Sequence, residues 1–104
     1  MDTKLWKDPW QPISEPSPHL IIELEKELAS DHPLYKKKVK PVALGWNGDD
    51  VMFEIEDSGR YAVVHLSWSG NVEPSGFPYF EFFRDWDDFF ERRLKPDSKE
   101  YDCQ

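Results

Sequence analysis

Hydrophobic and polar positions along the chain follow two different periods, and the change of period marks the elements. In SPHLIIELEKELASDHPLY, Leu20, Ile21, Leu24 and Leu28 form a helical stripe while Glu23, Lys26 and Glu27 take other faces, which predicts an amphipathic helix. Ser17 suits its N-cap, Pro18 its first turn, and Pro33 stops it beyond about Asp31. In PVALGWNGDDVMFEIEDSGRYAVVHLSWSG the period falls to two. Asn47-Gly48 and Asp57-Ser58-Gly59 are turn chemistry that permits positive φ, so the three apolar runs they separate read as an antiparallel meander. SGNVEPSGFP is a loop, YFEFFRDW has the alternation of a fourth strand, and DWDDFFERRLKPD reads as a closing helix. Asp85 can cap that helix, Asp87 and Asp88 suit its first turn, and Arg92, Arg93 and Lys95 its last, before Pro96 ends it. Trp86, Phe89, Phe90 and Leu94 are its expected core contacts.

Alternation also assigns the faces of the sheet. Val42, Leu44 and Trp46, then Val51, Phe53 and Ile55, then Ala62, Val64, Leu66 and Trp68 give one apolar face, which helices should cover. The opposite face carries Met52, Glu54, Glu56, Tyr61, Val63, His65 and Ser67, a mixed set suited to water. The expected fold class is α+β: a three- to four-stranded antiparallel meander with an N-terminal and a C-terminal helix packed on one face. A proline-rich arm (1–17) precedes a single domain (18–96), and a polar tail (97–104) follows. Trp6, Trp10 and Ile13 are placed to pin the arm onto the domain; the other reading of the arm is a partner-binding peptide.

Composition narrows the function more by exclusion than by signature. At 104 residues the chain holds one core, and with 38% hydrophobic and 15% aromatic residues that core rests on few, large side chains. The 21 acids against 13 bases give a formal charge of −8, which repels nucleic-acid phosphates and anionic lipid. The single cysteine, Cys103, can form neither an internal disulfide nor a protein-only zinc site, which suggests a reducing compartment. With no signal-peptide pattern at its start and no run near the ~20 apolar residues of a membrane span, the chain reads as cytoplasmic.

No GxGxxG, GxxxxGK[ST] or GxSxG motif occurs. His19 and His32 lack the i, i+4 spacing of a helical metal pair, and Asp49/Asp50 and Asp87/Asp88 stand where a turn and a helix start already call for acids. KKKVK at 36–40 reads as a solvated connector. His65 is the one histidine within a strand; a catalytic reading would pair it with Glu54 or Glu56 and would still need a nucleophile. No catalytic residue, cofactor or metal is expected.

YAVVHLSWSG, the Pro-containing loop and aromatic strand after it, DWDDFFERRLKPD and KEY together resemble a group of small, uncharacterised bacterial proteins. In that group an A-V-V-H-L-T-W strand is followed by a W-x-x-F helix and an acidic-tyrosine end, and Ser67 stands here where its Thr is usual. The resemblance covers about the last half of the chain. Some small acidic bacterial domains of similar build resemble immunity proteins encoded beside secreted toxins. The resemblance and the charge imply a non-enzymatic immunity or antitoxin-like protein, a monomer or weak homodimer, that occludes a basic toxin domain. Glu54, Glu56, Tyr61 and His65 on the open face, rimmed by Asp49 and Asp50, are the expected contacts. The alternatives are a small ligand-binding domain or enzyme using His65 with Glu54 or Glu56, and a cytosolic protein-interaction adaptor.

Overall fold

The computed structural model describes residues 6–14, 17–56, 58–74 and 77–102, with residue 47 through its backbone alone. Asp57 and Cys103, which entered the sequence reading, lie outside the described residues. The elements run β1 (Gln11–Pro12), α1 (Pro18–Glu27), β2 (Val39–Gly45), a 3₁₀ turn (Trp46–Gly48), β3 (Asp50–Ile55), β4 (Arg60–His65), β5 (Tyr79–Phe83) and α2 (Trp86–Phe89). A π-helical stretch (Phe90–Leu94) and α3 (Lys95–Asp102) continue α2. The sheet is a five-stranded antiparallel meander in the order β1-β2-β3-β4-β5. Gly48 and Gly59, both at positive φ, serve the two turns that the sequence marks.

The fifth strand comes from the arm. Gln11 and Pro12 pair with Leu44 and Ala43, and the Trp10 indole is buried against Phe89 with ring centroids 5.2 Å apart. Trp6 meets Trp86 at 4.8 Å and Ile13 packs on the other face, so the described part of the arm is built into the domain.

The largest departure from the expected fold concerns the faces. Both are covered. On the first, α1 and the residue that ends it place Leu20, Leu24 and Leu28 on Val51, Phe53, Ala62, Val64 and Leu66. On the second, the closing helix places Phe89 and Leu94 on Met52, Tyr61, Val63 and Phe83. Tyr61, expected on an open face, is only 8% exposed. The reason is visible in β4, whose four central residues Tyr61-Ala62-Val63-Val64 are all buried. An unbroken apolar run is the mark of a strand covered on both sides, and the polar residues that suggested a wet face sit only at the strand ends.

A register irregularity between Pro41 and Ala43 adds one residue to β2, so Val42 and Ala43 both serve the second core while Leu44 returns to the first. Val42 therefore leaves the face that strict alternation gave it. Trp46 and Trp68 leave it too, since both adopt positive φ beyond the strand ends and Trp68 is exposed.

The helices also end differently than expected. α1 stops at Glu27, not near Asp31, because the Glu27 carbonyl that a further turn would engage accepts from the Glu73 N–H at 2.9 Å. The closing helix passes Pro96 and continues to Asp102. A proline forfeits one backbone donor and crowds the carbonyl four residues back; the π-helical turn just before it is where the helix absorbs that misfit. The segment read as a polar tail thus begins as helix, with Ser98 buried.

Trp10 and Gly45 test this packing. A Cβ on Gly45 would lie 2.7 Å from the Trp10 ring, so Gly45→Ala should destabilise by about 1–3 kcal/mol through overpacking. Trp10→Ala should cost about 3–5 kcal/mol. In urea denaturation the double variant should lose less than the sum, because the alanine methyl then enters the space the indole left. Additive losses would contradict the contact.

Candidate functional site

The helical cover of the second face stops short of one end of the sheet. There the register brings Asp50 opposite His65, His65 opposite Tyr79, and Val63 opposite Glu81, so that Asp50, His65, Tyr79 and Glu81 share a face. Arg93 and Asp97, one turn apart on the closing helix, reach down onto them. Arg93 Nη2 donates to Asp50 Oδ2 at 3.1 Å, Nη1 to Glu81 Oε1 at 3.4 Å, and Nε to Asp97 Oδ2 at 3.1 Å. The same Asp97 oxygen accepts from the Trp10 indole at 2.9 Å and from the Trp46 indole at 3.1 Å. Burial works against the Arg93 charge, but the Asp97 and Asp50 carboxylates more than offset this and push its pKa above the ordinary value.

At the outer edge of the network the Asp50 and His65 side chains meet, with His65 Nδ1 2.8 Å from Asp50 Oδ1. The His65 side chain is 56% exposed and that of Asp50 14%, so the imidazole stands at the mouth of the depression and the carboxylates form its floor. Glu81 also accepts from Arg92 Nη1 at 3.3 Å through its other oxygen, so the uncompensated negative charge lies with Asp50 and Asp97, held in place by Arg93 and well suited to a cationic group from outside. A carboxylate-held histidine is also the orienting half of a general base, yet the Tyr79 ring is the other side chain that the open end of the depression offers, and no serine or cysteine among the described residues lines it. Among the described residues no group of three or more His, Cys, Asp or Glu side chains is placed to hold a metal ion.

Of the residues singled out from sequence, Asp50 and His65 meet here and Asp49 adjoins them, exposed, at the tip of the β2–β3 hairpin. Glu54 lies opposite Tyr61, four residues along β3 and about 13 Å from Asp50. Glu56 lies further still, so neither acid partners His65. Sequence reasoning missed Glu81, Arg93 and Asp97. The i, i+4 spacing of Arg93 and Asp97 was a usable signal, masked by reading Pro96 as the end of the helix.

A second buried cluster was also missed. Glu27 is fully buried beside Glu23 on the sheet-facing side of α1, where the stripe had placed neither. Glu27 Oε1 and Oε2 accept from the Ser67 and Trp68 N–H groups at 3.0 and 2.9 Å, and Glu23 accepts from Gly70 N–H at 2.9 Å, so the two acids clamp the chain leaving β4. Burial, and then the hydrogen bond to Glu23, push Glu27 above the ordinary carboxyl value of 4.5. The hydrogen bond from Glu27, aided by Gly70 N–H and opposed by burial, holds Glu23 below it. The two carboxyls therefore titrate as a pair, Glu27 releasing its proton at higher pH than Glu23. His32 is structural as well: Leu34 N–H donates to its Nδ1 at 3.1 Å, so Nε2–H donates to the Pro78 carbonyl at 3.2 Å, tying the segment after α1 to the start of β5.

No helix among the described residues is long and apolar enough to cross a membrane. The protein is an α+β domain with a five-stranded antiparallel meander between two helical layers. Comparison with protein-family models, with curated proteins and with solved structures finds no match.

The opposed shifts have a pH signature. Glu27, raised, contributes stability that is whole below pH 4.5 and is lost as pH rises through its folded pKa; Glu23, lowered, contributes above 4.5 and loses that share as pH falls through its own. In Glu23→Gln the amide can donate to an ionised Glu27, so the loss on the alkaline side should shrink. Urea midpoints measured from about pH 4 to about pH 7 should show a flatter slope for this variant than for the parent. Equal slopes would contradict the coupling of the two acids.

Proposed function

We propose that this protein is a non-enzymatic binding domain that captures a basic protein partner, in the manner of an immunity protein that occludes a bacterial toxin domain in the cytoplasm. The observation that carries this reading is the convergence of Asp50, Glu81 and Asp97 on Arg93 beside the exposed His65. Arg93 holds the carboxylates in place before any partner arrives, so recognition need not wait for long side chains to order. The net charge of −8 adds long-range attraction for a cation, and the fixed carboxylates aim it.

Aromatic anchors stand at the same end of the sheet. Tyr79 opens β5 beside His65 with 60% of its surface exposed, and Phe77 lies exposed two residues before it; Trp68, exposed on the same loop, stacks on His19 of α1 instead. Large, exposed rings next to directed charge are the composition of an interface whose rim steers and whose centre buries aromatic surface. The contacts expected from sequence are thus redistributed: Asp49, Asp50 and His65 remain with this surface, Tyr61 is buried, and Glu54 and Glu56 belong to the opposite end.

Charge reversal at the two ends separates this reading from simple solubility. Tagged parent, Asp49→Lys and Glu56→Lys proteins would be used to capture partners at low salt, and the association rate of any stoichiometric basic protein measured. Asp49→Lys should slow association about fivefold or more and reduce its salt dependence, with dissociation little changed, while Glu56→Lys should behave like the parent. Capture of no basic protein, or equal effects of the two substitutions, would overturn the reading.

A further inference from the structure

The geometry points to a second site, of opposite charge, on the first face of the sheet: a groove for a small anion with an apolar body. α1 and the segment after it leave uncovered the end of the sheet where β3 turns into β4. A groove of about 880 Å3 opens there, with Ile55 and Phe82 on its floor and Pro33 on one wall. That volume is within the range of about 300–1,000 Å3 usual for small-molecule sites. Phe82, 37% exposed, is the ring a ligand body would cover.

The charges around this floor run against the rest of the protein. Among the described residues, Lys37, Arg60, Arg84 and Arg92 line the groove with one carboxylate, Asp88, in a chain whose formal charge is −8. Arg92 and Asp88 satisfy each other through a 2.8 Å bond from Nε to Oδ1, and Arg92 Nη2 also caps the Phe82 carbonyl on the outer edge of β5. This pair forms a fixed wall. Arg84 reaches Asp88 only at 3.8 Å with its side chain 84% exposed, and Lys37 and Arg60 make no ion pair with a described residue. Three cations are left to meet an anion above an apolar floor, and none of them belongs to the carboxylate site at the other end of the sheet.

Range decides the class of ligand. Screening confines each charge to about 8–10 Å at physiological salt, so a small anion in the groove responds to the local cations and not to the distant acids. A long polyanion would lie across the acidic remainder of the surface and be repelled. The ligand chemistry is therefore one carboxylate or phosphate on an aromatic or alkyl body, the anion on Arg60, Lys37 and Arg84 and the body on Phe82 and Ile55.

The test is a titration of the isotope-labelled full chain with 2-naphthoate, 2-naphthyl phosphate and neutral 2-naphthalenemethanol, followed by amide chemical shifts. Saturable shifts at Ile55, Arg60, Phe82 and Arg84 are expected for an anionic probe, with the alcohol at least about tenfold weaker. The tighter of the two anions identifies the head group. Arg60→Gln and Lys37→Gln, both at exposed positions, should each weaken the anion about threefold or more without altering the alcohol. The proposal is overturned if neither anion gives saturable shifts at millimolar concentration, if the alcohol binds equally well, or if the shifts map to His65 and Tyr79 instead.

Discussion

One carboxylate oxygen, Oδ2 of Asp97, ties together three parts of the chain that no local preference would join. It accepts from the Trp10 indole of the arm, from the Trp46 indole of the 3₁₀ turn and from Arg93 of its own helix. The bond to Trp10 spans 87 residues. A carboxylate taken partly out of water loses hydration that only good donors can replace, and here an arginine and two indoles supply them. Those rings are large apolar bodies as well as donors, so the position that satisfies the charge also fills the second core. The closing helix cannot shift along the sheet without stranding a buried indole N–H, which fixes it on this face and in this register.

From that placement follows the division of the surface. The closing helix covers the centre of the second face and leaves one end open, where Asp50, Glu81 and His65 gather around Arg93. α1 covers the centre of the first face and leaves the opposite end open, where Arg60 and Lys37 stand over Ile55 and Phe82. A small meander with one helix per face thus offers two unlike sites at its two ends: one acidic and aromatic-rimmed, the other cationic with an apolar floor. The Glu23–Glu27 pair has no part in either; it anchors the chain leaving β4, which carries Trp68, to α1.

Much of the local structure was legible because it depends on local chemistry. The apolar stripe of α1, the turn glycines, the alternation of β5 and Asp85 as a cap, its side chain accepting from Asp88 N–H at 2.8 Å, follow from residues within a few positions of one another. The facing of the sheet did not, because a scatter of polar residues at strand ends outweighed the unbroken run Tyr61–Val64 at the centre. The acid that pairs with His65 was hidden for a related reason: Glu54 and Glu56 are nearer in sequence, but antiparallel register puts the far end of β3, and so Asp50, beside the end of β4. Asp97 was hidden by Pro96. A proline usually ends a helix, and only the π-helical turn before it lets the helix run on and deliver the aspartate to the two tryptophans.

Asp97 holds the arm, the turn and the closing helix as one unit, and the indole N–H groups of Trp10 and Trp46 report on it directly. Their hydrogen exchange, read by NMR in the parent and in Asp97→Ala, is the decisive measurement. Both indoles should be strongly protected in the parent, and both should lose protection together in the variant while amides of β3 and β4 keep a folded pattern. Exchange of either parent indole at the rate of an exposed tryptophan, or protection that survives Asp97→Ala, would contradict this role of Asp97.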